Sequence, residues 1–276
     1  MLLLIIIFVL GLCFGSFVNM LIFRVAKNYK LESRKFKVKS KKRSFCDYCG
    51  RQLIWYENIP VLSWIIQKGK TRCCGKKLSV LYPIVEMLMG ILFLLFFLIT
   101  NNQETINPNN FQLLITNNQT LVQFLIGLVV IVFLVFSGVF DLKYMILPDF
   151  STGILIVSAL VLWYSGHFGD LNYILSSIFS FSFLGFLYLI TKKRGMGFGD
   201  VKLAIFMGFF LGYPKIIVAF YIAFVVGALT SLILIIYKKA SRKTQIPFGP
   251  FLILGTFVAW WWGGQIISLS VFQFFR

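Results

Sequence analysis

The stretch Gly195-Met196-Gly197-Phe198-Gly199-Asp200-Val201-Lys202 is a glycine-rich turn that places one carboxylate between two apolar segments. A second acid, Asp141, ends another apolar run at 120–140 and is followed by Leu147-Pro148-Asp149. Hydrocarbon disfavours charge and the C-terminus of a helix is already negative, so an acid at the end of an apolar helix is costly. Two such acids in one chain call for a functional explanation.

The composition is that of a polytopic membrane protein. Of 276 residues, 59% are hydrophobic and 13% are charged, and the mean hydropathy is +0.86, which leaves too few polar residues to cover a soluble globule. Seven apolar runs approach the roughly 20 residues that cross a bilayer. They lie at about 1–23, 80–100, 120–140, 150–165, 171–190, 216–237 and 250–272. With a shorter run at about 203–213, they predict an all-α fold of about eight transmembrane helices.

The basic residues are distributed in a way that predicts topology. The formal net charge is +18, and 16 of the 27 lysines and arginines lie between Arg24 and Lys77. The segments 101–119 and 165–170 contain none. This positive-inside pattern predicts that three segments face the cytosol: the basic segment 24–79, residues 141–149 and residues 191–202. The charge therefore needs no nucleic-acid partner, although it also favours contact with anionic lipid.

Three parts are predicted along the chain. Residues 1–23 form the first transmembrane helix, which lacks a basic segment before it and a cleavage site after it and is expected to stay as an anchor. Residues 24–79 form a small cytosolic insert, and residues 80–276 form the membrane domain with both acids. Within the insert, the aromatic stretch 55–64 is too short to span and is typical of an interfacial segment.

Four cysteines of the insert are spaced like zinc ligands. A CxxC pair is followed about 24 residues later by a second pair, as in small domains held by zinc. The second pair departs from the pattern, since its cysteines are adjacent and Thr71 stands where a CxxC pair needs a cysteine. The predicted ligands are Cys46, Cys49, Cys73 and Cys74, with Cys73 as a shifted ligand. A disulfide, which the reducing cytosol disfavours, and reduced thiols are the alternatives; Cys13 is expected to be buried in the first helix.

Polar residues in the first two helices have two interpretations each. Asn19 follows small residues in the first helix, where such residues commonly mediate helix packing, and a site role for Asn19 and Arg24 is the alternative. Glu86 lies about one turn inside the second apolar run. An acid there suits the helix dipole as a cap, whereas its depth favours a site.

The two edge acids can perform proteolysis if they meet. Two close carboxylates in a poorly solvated place cannot both ionise readily and tend to share one proton. One then acts as general base on a water molecule while the other polarises a peptide carbonyl. A proton or cation relay in a transporter or channel is the alternative role for Asp141 and Asp200. Asp149 has a simpler explanation as a helix N-cap. A cap at Asp200 would leave the glycines at 195, 197 and 199 unexplained, and they predict a backbone that folds tightly and lets another segment approach closely.

The motifs taken in order resemble type IV prepilin peptidases, the aspartic membrane proteases of the GxGD type. The resemblance rests on GSFVN at 15–19 with Arg24, CDYC at 46–49, WYENIPVLSW at 55–64, GKTRCCG at 69–75, YPIVE at 82–86, Asp141 with LPD, GMGFGDVK at 195–202 and PFGPF at 247–251. It implies an inner-membrane enzyme that cleaves the leader from prepilins or pseudopilins at the cytosolic face. It also implies that Asp141 and Asp200 are the catalytic pair.

The same resemblance implies a second activity. Family members with a long cysteine-bearing insert usually methylate the new N-terminus with S-adenosylmethionine. The candidates for binding that methyl donor are Asn19, Arg24, Glu57 and Glu86. A non-enzymatic assembly factor with a basic docking insert is a further alternative, and the sequence leaves open a homo-oligomer and the process served, whether pili, secretion or DNA uptake.

Overall fold

The computed structural model describes residues 2–31, 45–46, 48–103, 118–166, 169–191, 196–237 and 246–268. Asp47, His167 and Gly195 lie outside the described residues. So do residues 32–44 of the basic segment and residues 104–117. The helices are α1 (Leu2–Asn28), α2 (Leu62–Ile66), α3 (Leu81–Gln103), α4 (Asn118–Tyr144), α5 (Asp149–Gly166), α6 (Leu171–Ile190), α7 (Phe198–Leu211), α8 (Lys215–Ile236) and α9 (Gly249–Ser268). A short 3₁₀ helix spans Trp55–Asn58.

The predicted all-α polytopic membrane fold is confirmed. Within the described ranges, seven helices are long and apolar enough to cross a bilayer, namely α1, α3, α4, α5, α6, α8 and α9. The short eighth segment is also helical, but α7 has 14 residues, about 21 Å of rise. It begins at Phe198, several residues before the predicted 203, so Asp200 lies inside its first turn. The crossing of α7 and the sidedness of the loops stay predictions.

The chain divides into two compact units, residues 1–113 and 114–276. The first contains α1, the cysteine-bearing insert and α3. Gly11 and Gly15 bring α1 against α3, since a Cβ on Gly15 would lie 2.5 Å from the Cα of Glu86. Small residues of the first helix therefore do mediate close helix packing, as predicted. The functional division at 23/24 and 79/80 stays a prediction.

In the second unit, α7 is enclosed by other helices. It packs against α5, α6, α8 and α9, and its buried residues face more than one side of the helix. Gly208 lies directly against the backbone of Ser177 on α6, so no larger residue fits there. A helix that is apolar on all sides belongs in a core, and this position carries the N-terminus of α7, with Asp200, into the interior.

Candidate functional site

Asp141 lies in the last turn of α4 and is 5% exposed. Its Oδ2 accepts a hydrogen bond of 3.1 Å from the backbone N–H of Gly249, the first residue of α9. The first N–H groups of a helix have no partner within the helix and carry partial positive charge. The start of α9 therefore stabilises the carboxylate that ends the apolar run of α4.

Asp200 occupies the first turn of α7 and is also 5% exposed. Its Oδ2 accepts a hydrogen bond of 3.1 Å from the backbone N–H of Gly197, which precedes the helix. Asp200 therefore does contribute a cap. A cap is normally solvated, however, whereas Asp200 is buried.

Leu147 packs against the starts of α7 and α9. A Cβ on Gly199 would lie 2.8 Å from the Cβ of Leu147, and one on Gly249 would lie 3.4 Å from its Cδ1. Gly199 thus permits the close approach that the sequence predicts for the glycine-rich turn. Gly197 does not, because its Cβ would make only an ordinary contact of 3.7 Å with Asp200.

The prediction that Asp149 acts as an N-cap is wrong. Asp149 is the first residue of α5, and its Oδ1 lies 2.7 Å from Nζ of Lys202. Lys202 also lies over the ring of Phe198, 5.3 Å from its centroid. This exposed ion pair connects α5 to α7. Asp149 follows Asp141 in the sequence and Lys202 follows Asp200, but the sequence pattern gave no signal that these two residues would pair.

The four predicted zinc ligands come together in the insert. Their sulfur atoms all lie within 4.8 Å of one another, with Cys49 Sγ 3.1 Å from Cys73 Sγ and Cys46 Sγ 3.9 Å from Cys74 Sγ. Tetrahedral zinc with Zn–S bonds of about 2.3 Å places its sulfur ligands about 3.8 Å apart. The arrangement fits such an ion.

The insert contains two matching turns, which explain the shifted ligand. Gly50 N–H donates to Cys46 O at 3.0 Å, and Gly75 N–H donates to Thr71 O at 2.8 Å; both glycines have positive φ. Thr71 therefore occupies the position that Cys46 has in the first turn. Its hydroxyl lies 3.1 Å from Cys74 Sγ, and this hydrogen bond is the first cause that lowers the pKa of Cys74 to about 7.

A cavity of about 490 Å³ lies in the first unit between α1, the insert and the start of α3. All four residues proposed to bind a methyl donor line it: Asn19, Arg24, Glu57 and Glu86. The expectation for Cys13 is wrong, because this residue is exposed and lines the same cavity. Separate stretches of sequence therefore contribute to one binding space, which no single motif revealed.

Glu86 is the buried acid of this cavity, 8% exposed. Its Oε2 accepts a hydrogen bond of 2.7 Å from the backbone N–H of Val61, and the side chains of Ser16 and Asn19 also bond to it. Asn19 in addition donates to Tyr82 O at 3.1 Å. Glu86 thus binds the insert to both helices and does not simply cap its own helix.

Comparisons with known proteins show the family of the chain. Residues 9–100 match the Bacterial Peptidase A24 N-terminal domain, and residues 128–232 match the Type IV leader peptidase family. A relative from Legionella pneumophila named prepilin leader peptidase/N-methyltransferase is 30% identical over 278 residues, covering 94% of this chain and 91% of the relative. The chain belongs to the type IV leader peptidase family.

Other relatives carry the same name. The leader peptidase/N-methyltransferase of Bacillus subtilis is 27% identical, and the alignment covers 96% of this chain and 97% of the relative. That of Stutzerimonas stutzeri is 29% identical, with 97% and 93% covered. No solved structure matches the chain significantly. The two matched family segments fall one in each compact unit, and the acids Asp141 and Asp200 both lie in the second.

Proposed function

We propose that the chain is an aspartic endopeptidase of the bacterial inner membrane that removes the leader from type IV prepilins or pseudopilins. The observation that carries this proposal is the burial of both Asp141 and Asp200, with Leu147 packed against Gly199 beside one acid and against Gly249 beside the other. Each has one carboxylate oxygen bonded to a backbone N–H, from Gly249 and Gly197 respectively. The bonded oxygens fix the orientation of both acids, which leaves their other oxygens for a water molecule and a peptide carbonyl.

The proposed reaction needs one proton shared by the two acids. The ionised carboxylate removes a proton from water as the oxygen attacks the scissile carbonyl carbon, and the protonated acid donates to the carbonyl oxygen. Collapse of the tetrahedral intermediate breaks the C–N bond, and a proton passes to the leaving amine. The alternative of a proton or cation relay is not favoured, because the family and the named relatives are peptidases.

The charge pattern supports a cytosolic position for this reaction. Asp141 and Asp200 each lie next to a segment that the positive-inside rule assigns to the cytosol. The basic part of a leader would stay in the cytosol while the apolar part of the pilin helix lies in the bilayer. The scissile bond would then lie at the membrane edge beside the two acids.

The proposal includes methylation of the new N-terminus by the first unit. Its cavity of about 490 Å³ is within the range of small-molecule sites, about 300–1,000 Å³. S-adenosylmethionine carries a carboxylate together with ammonium and sulfonium groups, and the cavity offers both signs, with Arg24 and Arg72 opposite in charge to Glu57 and Glu86. When bound, this donor would supply the methyl group, and zinc at the cysteine cluster would stabilise the insert that completes the cavity wall.

The deciding experiment uses purified full-length protein in detergent or lipid and a prepilin substrate, with the product N-terminus measured by mass spectrometry. Asp141→Asn and Asp200→Asn are each expected to abolish leader removal with unchanged expression and membrane insertion. Asp170→Asn is the matched control, because Asp170 is an exposed N-cap of α6 in the same unit. Normal processing by either of the first two variants would refute the assignment.

A further inference from the structure

Glu86 is a buried carboxylate, and no cation among the described residues forms an ion pair with it, although Arg24 and Arg72 line the same cavity. Its hydrogen bonds come from neutral donors, the Val61 N–H and the side chains of Ser16 and Asn19. A buried charge is costly unless it is paired. A positively charged group of a ligand in this cavity would therefore stabilise the Glu86 carboxylate.

The backbone around Glu86 supports a functional role for this carboxylate. Val61, which donates to it, has φ of 60°, a conformation that β-branched residues rarely adopt. Strained backbone of this kind persists where the surrounding contacts enforce it, and it is frequent at ligand sites. Gly15 lies directly against the backbone at Glu86, and this close packing of α1 on α3 fixes the position of the Glu86 backbone.

We propose that Glu86 binds the α-amino group of the mature pilin N-terminus and holds it for methylation. This inference rests on the proposed methyltransferase function and assigns the acceptor side of that reaction. Glu57, the other acid of the cavity, is less buried and accepts from Ile54 N–H at 2.9 Å, so it remains to face the cationic groups of the donor.

The chemistry at Glu86 is a proton transfer followed by alkylation. An α-ammonium group has no lone pair, so one of its protons must leave before nitrogen can attack a methyl group. The carboxylate accepts that proton, the amine nitrogen forms the new N–C bond, and the S–C bond of the sulfonium donor breaks with its electrons going to sulfur. The product is a methylated ammonium and a neutral thioether, and the carboxylic acid returns its proton to water.

The test measures peptide binding without any methyl donor. The probe is a synthetic peptide with the mature N-terminal sequence that the enzyme itself releases from its prepilin, in a free-amine form and an N-acetylated form. A charge-assisted hydrogen bond is worth about ten- to a hundredfold in affinity. The wild-type protein is expected to prefer the free amine by about this factor, and Glu86→Gln is expected to bind both forms equally.

Two further variants keep the test falsifiable. Glu57→Gln removes the other carboxylate of the cavity and is expected to keep the preference for the free amine. Glu86→Asp keeps the negative charge and is expected to keep part of the preference for the free amine. That result would exclude a general folding defect. Retention of the full preference by Glu86→Gln, or its loss in Glu57→Gln alone, would overturn the assignment. Mass spectrometry of wild-type product with S-adenosylmethionine separates this outcome from failure of the proposed function, which would leave the N-terminus unmethylated.

Discussion

The backbone N–H of Gly249 donates to Oδ2 of Asp141 across 108 residues of sequence. A Cβ at position 249 would lie 2.6 Å from that same oxygen, so a side chain there requires the carboxylate to shift. We predict that Gly249→Ala moves the carboxylate and lowers the rate of leader removal by about a hundredfold, the cost of a misplacement near 1 Å. The initial cleavage rate of purified protein measures this.

The same helix provides the control for that change. Gly264 also lies in α9, and a Cβ there would meet nothing within 4 Å. Gly264→Ala is therefore expected to cleave at the wild-type rate. If Gly249→Ala were as active as Gly264→Ala, the hydrogen bond to Asp141 would have no part in catalysis.

Gly199 should be equally sensitive to a methyl group. Its Cβ would lie 2.8 Å from the Cβ of Leu147, and overpacking of this kind costs about 1–3 kcal/mol of stability. We expect Gly199→Ala to lower both the unfolding temperature and the cleavage rate. Because the nearest atom is Cβ, adding Leu147→Ala should not rescue it. Gly153→Ala on α5 is the control, because a Cβ there meets nothing within 4 Å. Rescue of Gly199→Ala by Leu147→Ala would show that the Cβ of Leu147 is not the atom that clashes.

The sequence predicted the helices because each apolar run is long enough to cross a bilayer, and that requirement depends only on local composition. It also selected Asp141 and Asp200 as candidate site residues, because an acid beside an apolar run is conspicuous, and their catalytic role stays a prediction. The partners of these acids were not predicted. Gly249 meets Asp141, and Leu147 meets Gly199, through tertiary packing, and an apolar residue in a loop or a glycine at a helix start gives no signal of its own.

The errors at single residues have a common physical reason. Asp149 has the sequence context of an N-cap, yet α5 begins at Asp149 itself and its side chain pairs with Lys202, 53 residues away. Cys13 lies in an apolar helix, yet it faces a cavity that the insert helps to form. In both cases the local pattern was overridden by a contact with a distant segment.

The ion pair between Asp149 and Lys202 is expected to tune catalysis without stabilising the fold much. The Asp149 side chain is 74% exposed, and exposed pairs contribute about 0–1 kcal/mol. Asp149→Asn and Lys202→Met should each lower the cleavage rate by less than about tenfold, with little change in unfolding temperature. Since both remove the same contact, the double variant should be no slower than the slower single one.

Salt provides an independent check of that pair. Raising the ionic strength screens exposed charges, so the wild-type rate should fall towards that of Lys202→Met, while the rate of the variant changes little. Equal salt dependence of the two proteins, or fully multiplicative losses in the double variant, would show that the residues act separately.

Cys73 should be required for the metal site because Thr71 occupies a ligand position without a sulfur. We expect the purified protein to bind about one zinc per chain, and Cys73→Ser to lose it in competition with a chelator, since three thiolates hold zinc more weakly than four. Thr71→Cys combined with Cys73→Ser should restore binding, because the turn at Thr71–Gly75 matches the turn at Cys46–Gly50. Cys13→Ser, which removes a thiol outside the cluster, should bind zinc normally. Absence of zinc in the wild-type protein would refute the site, and full binding by Cys73→Ser would show that Cys73 is not a ligand.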